Sequence, residues 1–135
     1  VRGDVDNAIS YFQQRLIITR EVEDRIGEGT ALGNIAIVHF LRSDFQLAIE
    51  FYDQHITIAR EIGDLKGEAN SLLNKSVALD HLGQLPEAVT HAETALKIFG
   101  RIKNSNEARA QLLLDALRAK ERGETASEER VHNDH

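Results

Sequence analysis

The chain has 135 residues, 41% hydrophobic and 28% charged, which is enough for one domain with a core and too apolar for wholesale disorder. It contains no cysteine, so disulfides and thiolate metal sites are excluded and a cytoplasmic setting is expected. A net charge of −6 gives no basic footprint for nucleic acid or anionic lipid, and no apolar run approaches the roughly 18 residues a membrane span needs, so neither partner is expected.

Self-similarity at a 40-residue period organises the rest. Ala8, Ala48 and Ala88 keep that register, as do Ile9, Ile49 and Val89, Leu16, Ile56 and Leu96, and Leu32, Leu72 and Leu112. Within each period the apolar positions fall at helical spacing and two-residue alternation is absent, so the expected class is all-α, an array of antiparallel helix pairs.

In chain order, the first helix is predicted over 5–22, with Val5, Ile9, Phe12 and Leu16 as its apolar set and Gly3–Asp4 as a turn before it. Asp24 is the predicted N-cap of a helix over 25–42, which opens "DRIGEGTALGN". A Ser43–Asp44 turn leads to a helix over 45–62. Asp64 then caps a helix over 65–82, opening "DLKGEANSLLN", with Glu28 and Glu68 placed to favour the positive helix ends. "GQLPE" turns into a helix over 86–102, where Pro86 is tolerated in the first turn. Asn104 caps the last helix, 105–122, and Gly123 ends it by the logic of Ser43 and Gly83. The polar tail 123–135 is expected to be disordered. An opening that reads "VRGDVDNAI" in a chain without methionine is expected to be the interior of a longer protein.

The run "NKSVALDHLGQLPEAVTHAETAL", with Leu79, Gly83, Ala88 and Ala95 in the pattern positions, resembles a tetratricopeptide repeat. The 40-residue spacing is similar to the extended subclass found in kinesin light chain, Pins-type spindle-orientation scaffolds and bacterial regulatory proteins. The resemblance covers residues 3 to 122, so 1–122 is taken as a repeat domain, a fragment of a longer array. Ile35–Ala36 and Lys75–Ser76 replace the family's Leu-Gly, Ala92 its aromatic, and Arg15 and His55 its second Ala. These departures are expected to loosen the packing.

The resemblance implies a right-handed α-solenoid of about six helices whose concave wall, built from the first helix of each pair, holds a peptide or helix of a partner protein. Carried over residue by residue, the groove positions are Asn34, Ile37 and Leu41, then Asn70, Leu73, Asn74, Val77 and His81, then Leu114, Leu117 and Glu121. An asparagine amide both donates and accepts, so Asn34 and Asn74 suit the backbone of an extended peptide, although an inter-helix hydrogen bond explains them equally well. Gly33 leaves room for close approach of a ligand or of a neighbouring helix. The family's carboxylate clamp is not expected, because its positions carry Gly33, Ile37, Ala110 and Leu114 and offer no cation.

An enzyme is not expected, and no cofactor or metal site. His39, His55, His81 and His91 are scattered, His132 and His135 lie in the polar tail, and "GEGTALG" has phosphate-loop glycines without the preceding strand or the Lys-Ser/Thr. Two alternatives to a binding scaffold are a regulatory arm of a larger signalling protein or enzyme, and a self-associating module. The latter is motivated by the terminal helices 5–22 and 105–122, each without its pair mate, which would form a homo-oligomer through uncapped ends.

Overall fold

The computed structural model describes residues 2–123, and the expected tail lies outside the described residues apart from Gly123. Six helices follow one another: α1 (Arg2–Glu21), α2 (Arg25–Leu41), α3 (Phe45–Ile62), α4 (Leu65–His81), α5 (Leu85–Arg101) and α6 (Asn106–Glu121). Among the described residues there is no strand. Each helix packs on its neighbours in the chain, giving a right-handed α-solenoid of antiparallel pairs.

Boundaries agree with the sequence reading to within a residue except at the start. α1 begins at Arg2, so Gly3–Asp4 is not a turn but part of the first helical turn, where the Asp4 carboxylate complements the positive end of the helix. The side chains of Asp24 and Asp64 cap α2 and α4, accepting from the amides of Gly27 and Gly67 at 2.9 Å in both repeats. Asn104 does not occupy the equivalent cap. Ser105 is the N-cap of α6, and the Asn104 side chain accepts from the Asn106 amide at 2.9 Å instead.

The turns have a finer period than the repeat. Glu23, Ser43, Gly63, Gly83, Lys103 and Gly123, spaced 20 residues apart, all have positive φ, from 52° to 76°. One left-handed residue after each helix reverses the chain, and three of the six positions accept that conformation without glycine.

The core is made by the small and aliphatic residues that set the 40-residue period. Ala48 and Ala88 are fully buried, while Ala8 is half-buried, with no described helix covering that side of α1. Ala36 clusters with Ala48 and Tyr52, and one period later the Ser76 hydroxyl donates to the Ala88 carbonyl at 2.6 Å. Burial raises the Tyr52 phenol to a pKa of about 12. Leu16 and Phe12 pack on α2 with Ala31, Leu32 and Ile35, so much of the apolar set expected to be open on α1 is covered.

At His55 the departure from the repeat pattern does not loosen the packing, because compensating residues face it. His55 lies against α2 where Gly29 and Gly33 leave space: a Cβ at Gly33 would be 2.9 Å from His55 Nδ1. The same nitrogen shares a 2.6 Å hydrogen bond with Ser71 Oγ of α4. In the next repeat the sizes are exchanged, with Leu73 and Ala95 in one cluster. Gly33 therefore makes room for an imidazole of the neighbouring helix.

Candidate peptide-binding wall

On α2, the residues Ile26, Thr30, Asn34, Ile37 and Leu41 recur at intervals of three or four and form one stripe. The corresponding stripe on α4 is Lys66, Asn70, Asn74, Val77 and His81. α6 lies beside α4: Asn106 Nδ2 donates to Asn70 Oδ1 at 3.1 Å, an Arg109 guanidinium N–H reaches Asn74 Oδ1 at 3.5 Å, and Lys120 Nζ binds the Asp80 carboxylate at 2.8 and 3.0 Å.

The predicted groove residues separate into three groups. Leu73, Leu114 and Leu117 have 1–2% of their surface exposed and belong to the core between α4, α5 and α6, so they present no surface to a ligand. The one-residue offset between wall and core positions on a helix is too small to read from register alone, which explains the error. Asn70 and Asn74 are engaged with α6, so they join adjacent repeats. Asn34, Ile37 and Leu41 remain available: Asn34 is half-buried and its side chain makes no hydrogen bond to another described residue, and Ile37 and Leu41 are 42% and 72% exposed. Val77 is half-buried. His81 is exposed but its ring stacks on Phe45 at 4.3 Å and meets the edge of Phe40 at 6.0 Å. Glu121, at the end of α6, is exposed.

Two features of the wall were not anticipated. One is Arg109, outside the clamp positions: its neighbour Ala110 turns inward onto Leu73, and the guanidinium is left beside Asn74. The second is a repeated ion pair, Arg20 Nε to Glu28 Oε2 at 3.0 Å and Arg60 Nε to Glu68 Oε2 at 2.8 Å. Burial works against the Glu28 charge, but hydrogen bonds from Arg20 and Arg25 outweigh it and hold the carboxyl below its usual range. Arg25 also pairs with Glu61. The glutamates therefore clamp successive helices as well as favouring the helix ends. An Arg eight residues before each Glu, repeated after 40, was a legible signal.

His39 was dismissed as a ligand, and the structure gives it a different character. It is buried at the register position held by Leu79 in the next repeat, stacks on Phe51 at 5.4 Å, and its Nδ1 has no hydrogen-bond partner. Among the described residues no group of three or more His, Asp and Glu could hold a metal ion, and no helix is long and apolar enough to cross a membrane.

Between α1 and α2 lies a shallow cavity of about 240 Å³, bounded by Tyr11, Phe12 and Arg15 on one side and Thr30, Ala31 and Asn34 on the other. The exposed apolar residues of α1 and the turn after it are not the set read from the sequence but Tyr11, Ile17 and Ile18, with Val22 in the turn.

A search of curated protein sequences returns no match. Among solved structures, 23 chains match, including the apo form of RapI, which is 22% identical and superposes with a TM-score of 0.83 over 89% of this chain. The match spans 44% of the RapI chain. The family model described as tetratricopeptide repeat matches residues 1–61 and 30–101. With that match across most of the chain, and helix pairs that repeat in structure as they do in sequence, the chain belongs to the tetratricopeptide repeat family.

Proposed function

We propose that the chain is a protein-interaction module whose wall of first helices, α2, α4 and α6, holds an extended or helical segment of another protein. The observation that carries this reading is the stripe on α2: Asn34 without a partner beside Ile37 and Leu41, whose apolar surface is open to solvent. The Asn34 amide would bind a peptide backbone, Ile37, Leu41 and Val77 would take its apolar side chains, and the exposed His81 edge would close the groove. Arg109, held beside Asn74, supplies a positive charge at the α4–α6 end. Burial of the two exposed aliphatic side chains is worth about 1.5–3 kcal/mol each at full burial, and less in proportion to the surface already covered.

Selection of binders from a displayed random-peptide library, followed by titration calorimetry of the best one, tests the reading. Ile37→Ser with Leu41→Ser should weaken binding by about a hundredfold while leaving the fold intact, because both side chains are exposed. Equal affinity for the wild-type chain and the double variant would show that the wall is not the site.

A further inference from the structure

The α4 line of the wall carries a surplus of hydrogen-bond donors. Arg109 meets Asn74 at Oδ1, and because a guanidinium only donates, the Asn74 amide nitrogen is left free. Asn70 likewise accepts from Asn106 with its oxygen and keeps its own N–H groups. Lys66, one turn before Asn70, is exposed, and neither Lys66 nor Arg109 forms an ion pair with another described residue. α4 has a first helix on either side, α2 and α6, so this exposure does not come from a missing neighbour.

The carboxylates around the line are already engaged or turned away. Arg60 holds Glu68, Lys120 holds Asp80, Asp115 accepts from Gln111, and Glu107 turns to Gly100 near the end of α5, while Glu121 stands at the opposite end of α6 from Arg109. In a chain of net charge −6, Lys66 and Arg109 thus form a local positive strip. A purely apolar or a basic segment laid along it would cover two uncompensated charges, whereas an acidic segment satisfies both.

Spacing sets the pattern that fits. Arg109 stands beside Asn74, two turns and so roughly 12 Å along α4 from Lys66. An extended segment covers that distance in about four residues, and its two-residue alternation turns residues four apart to the same side. Each cation has an asparagine amide beside it, which suits the single charge of a carboxylate, and two cations roughly 12 Å apart do not converge on one phosphate. The chain's own tail has an acidic pair of this spacing in Glu124 and Glu128. Gly123, however, lies roughly 20 Å beyond Arg109 along α6, and one further residue adds under about 4 Å, so Glu124 reaches neither cation.

We propose that this strip recognises an acidic, extended segment of another protein, with two Asp or Glu four residues apart at Lys66 and Arg109 and apolar residues beyond them toward Val77 and Ile37. The proposal rests on the wall reading above and adds the chemistry of the ligand.

The probe is a fluorescein-labelled, C-terminally amidated peptide, Asp-Ser-Thr-Ser-Asp-Thr-Leu-Thr-Leu, made in both chain directions. One control has Asn for both Asp, and the other has the two Asp adjacent at unchanged charge. In fluorescence anisotropy against the full chain, the better direction of the Asp peptide should bind about tenfold more tightly than the Asn control and several-fold more tightly than the adjacent one, a preference that fades with added salt. Lys66→Gln with Arg109→Gln, checked by circular dichroism for an unchanged melt, should abolish the preference and leave the Asn peptide's affinity as it was. Equal binding of the Asp peptide and either control, or a preference that survives the double variant, would overturn the proposal. Should all the peptides then still weaken with Ile37→Ser and Leu41→Ser, the wall reading stands without it. Absence of binding by the Asp peptide up to about 1 mM would also overturn it. So would tenfold tighter binding after Glu124→Gln with Glu128→Gln in the full chain, since the strip would then belong to the chain's own tail.

Discussion

Exchanging the sizes at one helix contact gives a sharp test of how this solenoid compensates for its irregular residues. At the α2–α3 contact glycine faces histidine, Gly33 over His55; at the equivalent α4–α5 contact leucine faces alanine, Leu73 over Ala95. Gly33→Leu alone would place its first side-chain carbon 2.9 Å from His55 Nδ1, with three more carbons beyond it. Overpacking costs about 1–3 kcal/mol, and displacing the imidazole also breaks its bond to Ser71, about 1 kcal/mol. The gain in helix propensity over glycine, about 0.8 kcal/mol, offsets only part. The expected net loss is about 1–3 kcal/mol. His55→Ala alone removes the ring and leaves the buried Ser71 hydroxyl without its partner, for about 1–3 kcal/mol. Together the two changes reproduce the Leu–Ala pair of the next repeat and remove the overpacking, but Ser71 stays unpaired, so the double variant should lie about 0–2 kcal/mol below wild type, a coupling of at least about 2 kcal/mol. Urea unfolding followed by circular dichroism at 222 nm, with unchanged m-values, measures it. Additive losses would show that Gly33 and His55 do not form the compensating pair described here.

Acid should destabilise the fold through three histidines. Burial lowers the pKa of His39, His55 and His91 below the ordinary 6.5, so the unfolded chain takes up protons first; their contribution is complete above about pH 6.5 and declines as pH falls below it. The urea midpoint should drop between pH 7.5 and 5, and His39→Leu, which copies Leu79, should flatten that dependence and stabilise the protein. At the left-handed turns, Glu23→Gly and Lys103→Gly should each raise stability by up to about 1 kcal/mol, because φ of 57° and 52° is strained for a residue with a Cβ, and thermal melts will show whether the midpoint rises. Leu73→Ala should cost about 2–5 kcal/mol in urea unfolding, as expected of a fully buried core leucine, whereas Leu41→Ala, on an exposed side chain, should cost under about 0.5 kcal/mol.

The sequence by itself determined the element type, the order of the helices and the 40-residue register, because each of these is written locally. Helical spacing of apolar residues, Asp24 and Asp64 as caps, Pro86 in a first turn, and Gly83 and Gly123 at the reversals all act within a turn or two of the residue concerned. The candidate wall was legible only in part. Asn34, Ile37 and Leu41 lie open on α2 as the register implies, but Leu73, Leu114 and Leu117 turn into the core and Asn70 and Asn74 bond across to α6. Those outcomes depend on which helix lies opposite, and that is a tertiary fact. A 3.6-residue helix sweeps about 100° per residue, so a neighbouring position passes from wall to core, and Ala110 beside Arg109 shows the change within one step. The partner of His55 was equally hidden, since Gly33, His55 and Ser71 belong to three different helices and meet only when the repeats stack. Side-chain volume and hydrogen bonding at such junctions are settled between elements, where periodicity along one element carries no information.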